Sequence, residues 1–168
     1  IPFASLKLKI GKGSAGLLIL EEKKAKSLTY VSADNVRVVL HNGKIKRTSG
    51  LVNNLVEIKE PKNSFQNFLR SEKDEIFYYS YSTYDYPVLI DMKNKITLKK
   101  VGTEEVVILD TKYSLLKFQE TVENSHLGWK VTNFYWIDKA DYFVWKSLQS
   151  ISPLLPKINY EVTKKPTI

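Results

Sequence analysis

The alternation of apolar and polar residues at a spacing of two restricts this chain more than any other feature. In Ser5-Leu6-Lys7-Leu8-Lys9-Ile10 the leucines fall on one face of an extended backbone and the lysines on the other. Segments of similar length recur at Leu17–Leu20, Leu28–Ser32, Val36–His41, Ile76–Thr83, Leu115–Glu123, Trp129–Ile137, Tyr142–Ser147 and Ile158–Val162. Turn residues separate them, and Asn42-Gly43 is the strongest hairpin signal, because this pair accepts the positive φ angles of a type I′ turn. Val88–Met92 and Lys95–Lys99 read as a hairpin turning at Lys93-Asn94, with Val106–Leu109 as a separate strand. Phe65–Arg70, after the polar break Glu60-Pro61-Lys62-Asn63-Ser64, reads as a short helix or an irregular loop. No apolar stripe at helical spacing persists for three turns. The pattern predicts one all-β domain over residues 1–168, an antiparallel meander of about 11–13 strands with little helix, closed into a barrel or folded as a sandwich.

What the chain lacks excludes several chemistries. It has no cysteine, which removes a disulfide scaffold, a zinc finger, an iron–sulfur site and a thiol nucleophile together. No apolar run approaches the roughly 20 residues of a membrane-spanning helix, and Leu17–Leu20 ends at Glu21-Glu22. The chain starts at Ile1 rather than at methionine, so a preceding segment is expected to have been removed. The net charge is +8, yet 23 of the 26 basic residues are lysines, leaving only Arg37, Arg47 and Arg70. Arginine reads phosphates and base edges through a rigid fork, whereas lysine is a hydrated point charge. This bias argues against a nucleic-acid partner.

Motif by motif, little points to catalysis. Gly11-Lys12-Gly13-Ser14-Ala15-Gly16 spells a dinucleotide fingerprint, with Asp34 downstream, but that mechanism needs a helix to open at the third glycine. Here aliphatic residues and then charges follow, so the segment reads as a glycine-rich hairpin. The two histidines, His41 and His126, lie beside turn residues and match no H-E-x-x-H spacing. Glu21-Glu22 and Glu104-Glu105 are adjacent pairs that a strand points to opposite faces. Neither a metal nor a cofactor is expected. Tyr78, Tyr79, Tyr81, Tyr84 and Tyr86 fall within nine residues, with Phe77, Tyr79 and Tyr81 on one strand face and Tyr78 on the other. Such rings suit either cross-strand packing or contact with a sugar or protein surface.

Three patches then carry a resemblance. They are Ile1-Pro2-Phe3-Ala4-Ser5 with the glycine hairpin behind it, Asn42-Gly43-Lys44-Ile45-Lys46-Arg47-Thr48-Ser49-Gly50-Leu51, and the pair Asn133–Asp138 and Val144–Pro153. In order and spacing they resemble the YjbF/GfcB/YmcC family of bacterial lipoproteins over nearly the whole chain. Members tend to have a glycine in the turn before the Val-Trp strand, where this chain has Asp141-Tyr142. The lipid-bearing cysteine of the family is also missing, and would lie upstream of Ile1.

The resemblance implies a β protein held by a lipid anchor at the outer membrane of a Gram-negative bacterium, facing the periplasm. It would act in exopolysaccharide and group 4 capsule production beside outer-membrane secretion proteins. In the matched patches Asn42 and Gly43 form a turn, Gly50 relaxes the backbone, and Trp136 and Trp145 are expected as cross-strand core partners. Arg47 and Gln149 are the matched polar residues with a candidate role beyond folding. The expected function is non-enzymatic: binding an anionic polysaccharide or a secretion partner, with Tyr78, Tyr79, Tyr81, Tyr84 and Tyr86 as candidate contacts. The alternative is a carrier or chaperone for a lipid moiety in a half-open barrel, which needs an apolar cavity. A glycan-modifying enzyme would instead need two carboxylates converging at roughly 5–10 Å.

Overall fold

The computed structural model describes residues 2–167 and contains twelve strands in one antiparallel sheet, with 4% helix. The strands are β1 Ser5–Ile10, β2 Gly16–Lys24, β3 Ser27–Ser32, β4 Arg37–His41, β5 Lys44–Ser49 and β6 Leu55–Lys59, followed by helix α1, Ser64–Arg70. Then come β7 Glu75–Tyr84, β8 Leu89–Ile108, β9 Thr111–Asn124, β10 Trp129–Ile137, β11 Val144–Gln149 and β12 Ile158–Lys164. The strand order is β5-β4-β3-β2-β1-β12-β11-β10-β9-β8-β7-β6, so the terminal strands β1 and β12 pair in the middle. The sheet curls until its two ends, β5 and β6, face each other across a seam. No backbone ladder closes that seam; side chains do. The Leu55 amide donates to Thr48 Oγ1 at 3.0 Å, and Lys44 and Lys46 both reach Glu60.

The predicted barrel is therefore present and nearly closed, and the glycine-rich segment is the β1–β2 hairpin. The hairpin predicted at Lys93-Asn94 is not there. Strand β8 runs unbroken through it, and the turn lies at residues 85–88, which include the cis Tyr86–Pro87 bond. The physical reason is a polar interior. Asn94 has turn chemistry in sequence, but it points into the barrel, donating to Ser82 Oγ at 2.9 Å and accepting from Asn124 Nδ2 at 3.0 Å. Val106–Leu109 is likewise no separate strand: Val106, Val107 and Ile108 are the end of β8. Beyond the last β7–β8 rung, Glu75 with Lys99, β8 and β9 continue as a two-stranded arm to the rung of Ile108 with Thr111. The arm covers the outer wall, where Val106, Ile108 and Leu115 pack with Trp136.

Helix α1 is too short to be stable alone and is held by packing. Phe65, Phe68 and Leu69 share one face, and Phe65 and Phe68 plug one end of the barrel, here called its mouth. The Phe65 ring lies 4.6 Å from Phe118 and 5.1 Å from Tyr135, and those two rings stack at 5.0 Å. Below this aromatic plug the interior turns polar. The void between Lys44, Ser80, Asn94, Glu120, Asn133 and Gln149 is only about 30 Å³, room for one water.

Candidate functional site

A cleft of about 780 Å³ opens at the mouth between the β2–β3 turn, the β4–β5 turn and the segment leading into α1. Lys26, Lys44, Lys46, Lys59, Lys62 and His41 line it, against one carboxylate, Glu60. Two of these lysines enter a buried ionic network. Lys44 Nζ lies 2.8 Å from Glu120 Oε2 and 3.1 Å from Glu60 Oε2, and Lys46 also pairs with Glu60. Glu120 is 1% exposed, and its other oxygen accepts from Asn133 Nδ2 at 2.9 Å and Tyr135 OH at 3.0 Å.

Burial works against the charge on Lys44, but Glu120, Tyr78 and Glu60 outweigh it and hold the ammonium well above its usual range. Burial likewise opposes ionisation of Glu60, and Lys44 and Lys46 overcome it, holding its carboxyl below the ordinary value. At Lys46 the balance reverses: burial and repulsion from Lys44 hold the ammonium below its ordinary value. His41, 3.2 Å from Ser27 Oγ, is also pushed down, by burial and then by Lys46 and Lys26.

Glu60 and Glu120 share one lysine nitrogen, so their oxygens lie about 6 Å apart or less, within the span that glycosidase carboxylates use. Their environment does not suit that chemistry. Glu60 is held ionised, and Glu120 lies beneath Lys44, out of a substrate's reach. Among the described residues no group of three or more His, Asp or Glu side chains converges to hold a metal.

The tyrosine cluster divides between inside and outside, as alternation requires. Tyr78 and Tyr84 point inward: the Tyr78 hydroxyl lies 3.4 Å from Glu60 Oε2, and Tyr84 OH donates to the Ile151 carbonyl at 2.7 Å. Burial pushes Tyr78 up to about 12. Phe77, Tyr79 and Tyr81 form a row on the outer wall, 62%, 45% and 39% exposed. Lys93 Nζ lies 4.4 Å from the Tyr79 ring centre and Lys95 Nζ 5.1 Å from that of Phe77. Tyr81 stands opposite Lys59 in the β6–β7 ladder, and Lys59 lines the cleft, so row and cleft adjoin. Tyr86 is exposed at the far turn, away from both.

The matched polar residues have different fates. Gln149 is a structural clamp reaching across the barrel: Oε1 accepts from the Ile45 amide, and Nε2 donates to the Gly43 carbonyl, both at 2.9 Å. Arg47 is exposed on β5 and pairs with no carboxylate among the described residues. The Asn42-Gly43 turn is tucked into the mouth, where a Cβ on Gly43 would stand 2.3 Å from Val144 Cγ2. Gly50 turns the chain from β5 toward the seam at φ +82°. Trp136 and Trp145 adjoin the same outer cluster, but Trp136 faces Lys146 across the strands, while Trp145 stacks on Tyr113 at 4.6 Å. In the turn before the Val-Trp strand, where the resemblance led to a glycine being expected, Tyr142 adopts φ +60°. The Lys44–Glu60–Glu120 network was not singled out by sequence reasoning. Its signal was present: Glu120 alternates with Phe118 and Val122, which places a carboxylate on an apolar face.

A filled antiparallel barrel with a charged mouth defines the architecture, and comparison with known proteins defines the family. The family described as "Group 4 capsule polysaccharide lipoprotein gfcB, YjbF" matches residues 1–162, and the chain belongs to it. The chain is 26% identical over 161 residues to the uncharacterized lipoprotein GfcB of Escherichia coli (strain K12), covering 90% of this chain and 71% of that protein. Its fold matches the crystal structure of the hypothetical lipoprotein YmcC from Escherichia coli (K12). The TM-score is 0.86 at 23% identity, over 100% of this chain and 87% of that one. This is a family of lipoproteins, not one described by an enzymatic activity, and membership sets the chain among proteins of the bacterial envelope.

Proposed function

We propose that this protein is a non-enzymatic accessory factor in capsule polysaccharide assembly or export, anchored by lipid at the outer membrane, facing the periplasm and binding an acidic glycan. The observation that carries this reading is the row Phe77, Tyr79, Tyr81, flanked by Lys93 and Lys95 and continuous through Lys59 with the lysine-lined cleft. Exposed rings offer flat apolar contact to sugar faces, and the lysines attract carboxylate or phosphate substituents. The filled interior leaves no lumen for a whole lipid, which weighs against the carrier reading.

The test is a calorimetric titration with the acidic capsule polysaccharide purified from the producing strain. Replacing Tyr79 and Tyr81 together by alanine is expected to weaken binding about tenfold, the scale of two lost aromatic contacts. Binding should also fall as salt is raised, because the lysines are exposed. Unchanged affinity in the double variant would refute the reading.

A second reading, docking to an outer-membrane secretion protein, is favoured by the β8–β9 arm. From Gly102 to Ile108 no described strand pairs with the outer edge of β8, and Val101, Val107 and Leu109 are exposed there.

A further inference from the structure

The mouth has a second opening beside the lysine-lined cleft, past the contact of Lys26 Nζ with Gln66 Oε1 at 3.3 Å. It is a pocket of about 310 Å³, at the lower end of the range for small-molecule sites. Leu28, Leu40, Phe143, Val144 and Val162 supply apolar walls. Leu28 and Leu40 are cross-strand partners at the mouth end of the inner face. Lys23, Lys26 and Lys165 also line the pocket, against a single carboxylate, Asp141, which is paired with Lys165. One polar side chain among the apolar walls has no partner. Tyr30 is 0% exposed, and its hydroxyl has no hydrogen-bond partner among the described residues. A buried hydroxyl is ordinarily satisfied, because leaving it without a partner forfeits the hydrogen bonds it makes in water. The neighbouring inward-facing Tyr160, by contrast, donates to the Gly43 carbonyl at 2.6 Å.

We propose that this pocket binds one fatty acyl group of a negatively charged lipid. The chain lies against Leu28, Leu40, Val144 and Val162, Tyr30 donates to the acyl carbonyl oxygen, and Lys23, Lys26 and Lys165 face the headgroup charge. The volume accommodates about ten methylenes, each taking close to the ~30 Å³ of a water in the liquid. None of its residues belongs to the Phe77–Tyr81 row, and of its lysines only Lys26 also lines the lysine-lined cleft.

The test uses calorimetric titration below the micellar concentration with four probes: lauroyl lysophosphatidic acid, its ether-linked analogue without the carbonyl, laurate, and glycerol 3-phosphate. Saturable one-to-one binding of the lauroyl phospholipid is expected, with glycerol 3-phosphate at least a hundredfold weaker. The ether analogue should bind about fivefold weaker than the ester, the scale of one hydrogen bond. Tyr30→Phe should abolish that ester–ether difference while leaving the circular dichroism spectrum and the polysaccharide titration unchanged. Leu28→Trp, which fills the pocket, should remove lauroyl binding from a folded protein. Laurate binding as tightly as the phospholipid identifies a free fatty acid as the source, and weaker binding identifies a phospholipid. Three outcomes would overturn the proposal: glycerol 3-phosphate binding as well as the lauroyl form, no saturable lauroyl binding, or an ester–ether difference that survives in Tyr30→Phe.

Discussion

The buried network at the mouth supports a sharp test of what holds this barrel shut. In the variant Lys44→Met the methylene stem is replaced by a side chain of similar length, but the ammonium is gone. Glu120 Oε1 keeps its bonds from Asn133 and Tyr135, while Oε2 loses the cation 2.8 Å away and has no other partner. Glu120 is 1% exposed, so bulk solvent does not take the place of the cation. Stranding a buried charge in this way costs about 3–5 kcal/mol. For a chain of this size that corresponds to a fall of roughly 6–20 °C in the melting temperature. Urea denaturation should show the lower midpoint with the slope unchanged. Adding Glu120→Gln to Lys44→Met should recover at least half of the loss, because the amide oxygen still accepts from Asn133 and Tyr135 and no charge remains to be paired. A cost below about 1 kcal/mol, or a double variant no more stable than the single one, would refute the account of a charge network spanning the interior.

Two further outcomes are expected. Gly43→Ala meets both a φ of +84° and a contact of 2.3 Å with Val144, so it should cost about 2–5 kcal/mol. Gly128→Ala, at φ +60° with open space, should cost only about 1 kcal/mol in the same urea assay, and equal costs would show that the turn is not packed into the mouth. Acid should weaken the fold in two stages. The His41 pKa is held below its ordinary 6.5, so the unfolded chain protonates first and stability declines as pH falls from about 6.5 toward the folded value. The Glu60 pKa is held below 4.5, so a second loss begins as pH falls past that value, and His41→Gln should remove only the first stage in a pH series of melting curves.

The sheet was legible because alternation survives wherever inward residues are apolar, as in Leu6 and Leu8 of β1 or Ile158, Tyr160 and Val162 of β12. It failed in the middle of β8. There Asn94 occupies an inward position that the pattern assigns to an apolar side chain, and Lys93-Asn94 has the composition of a turn. The tyrosine row was legible as a two-faced strand, but which face met solvent depended on which way the sheet curls, a property of all twelve strands. The charged mouth was not found for a related reason. Lys44, Glu60 and Glu120 are separated in sequence; the meeting of β5 with β6 brings Glu60 to the Lys44 nitrogen, and the reach of Lys44 across the interior brings that nitrogen to Glu120 on β9. Gln149 was marked from the matched patch, yet its part as a clamp depends on its reach across the barrel to Gly43 and Ile45.

A barrel of twelve strands is wider than the eight-stranded kind that side chains just fill, so its lumen would ordinarily stay open to water or a ligand. Here long side chains cross it. Gln149 spans from β11 to the β4–β5 turn, Lys44 spans from β5 to Glu120 on β9, and Phe65 and Phe68 enter from α1 at the mouth. Such crossing groups must be hydrogen-bonded or paired, because an unsatisfied polar group in that interior is expensive. They therefore fix the wall positions they join, and a ligand cannot displace them without unmaking the closure of the sheet. Binding is left to the places where this filling ends: the outer wall, where Phe77, Tyr79 and Tyr81 project outward, and the mouth, where the lysines of the seam and the unpartnered hydroxyl of Tyr30 lie on either side of the α1 plug.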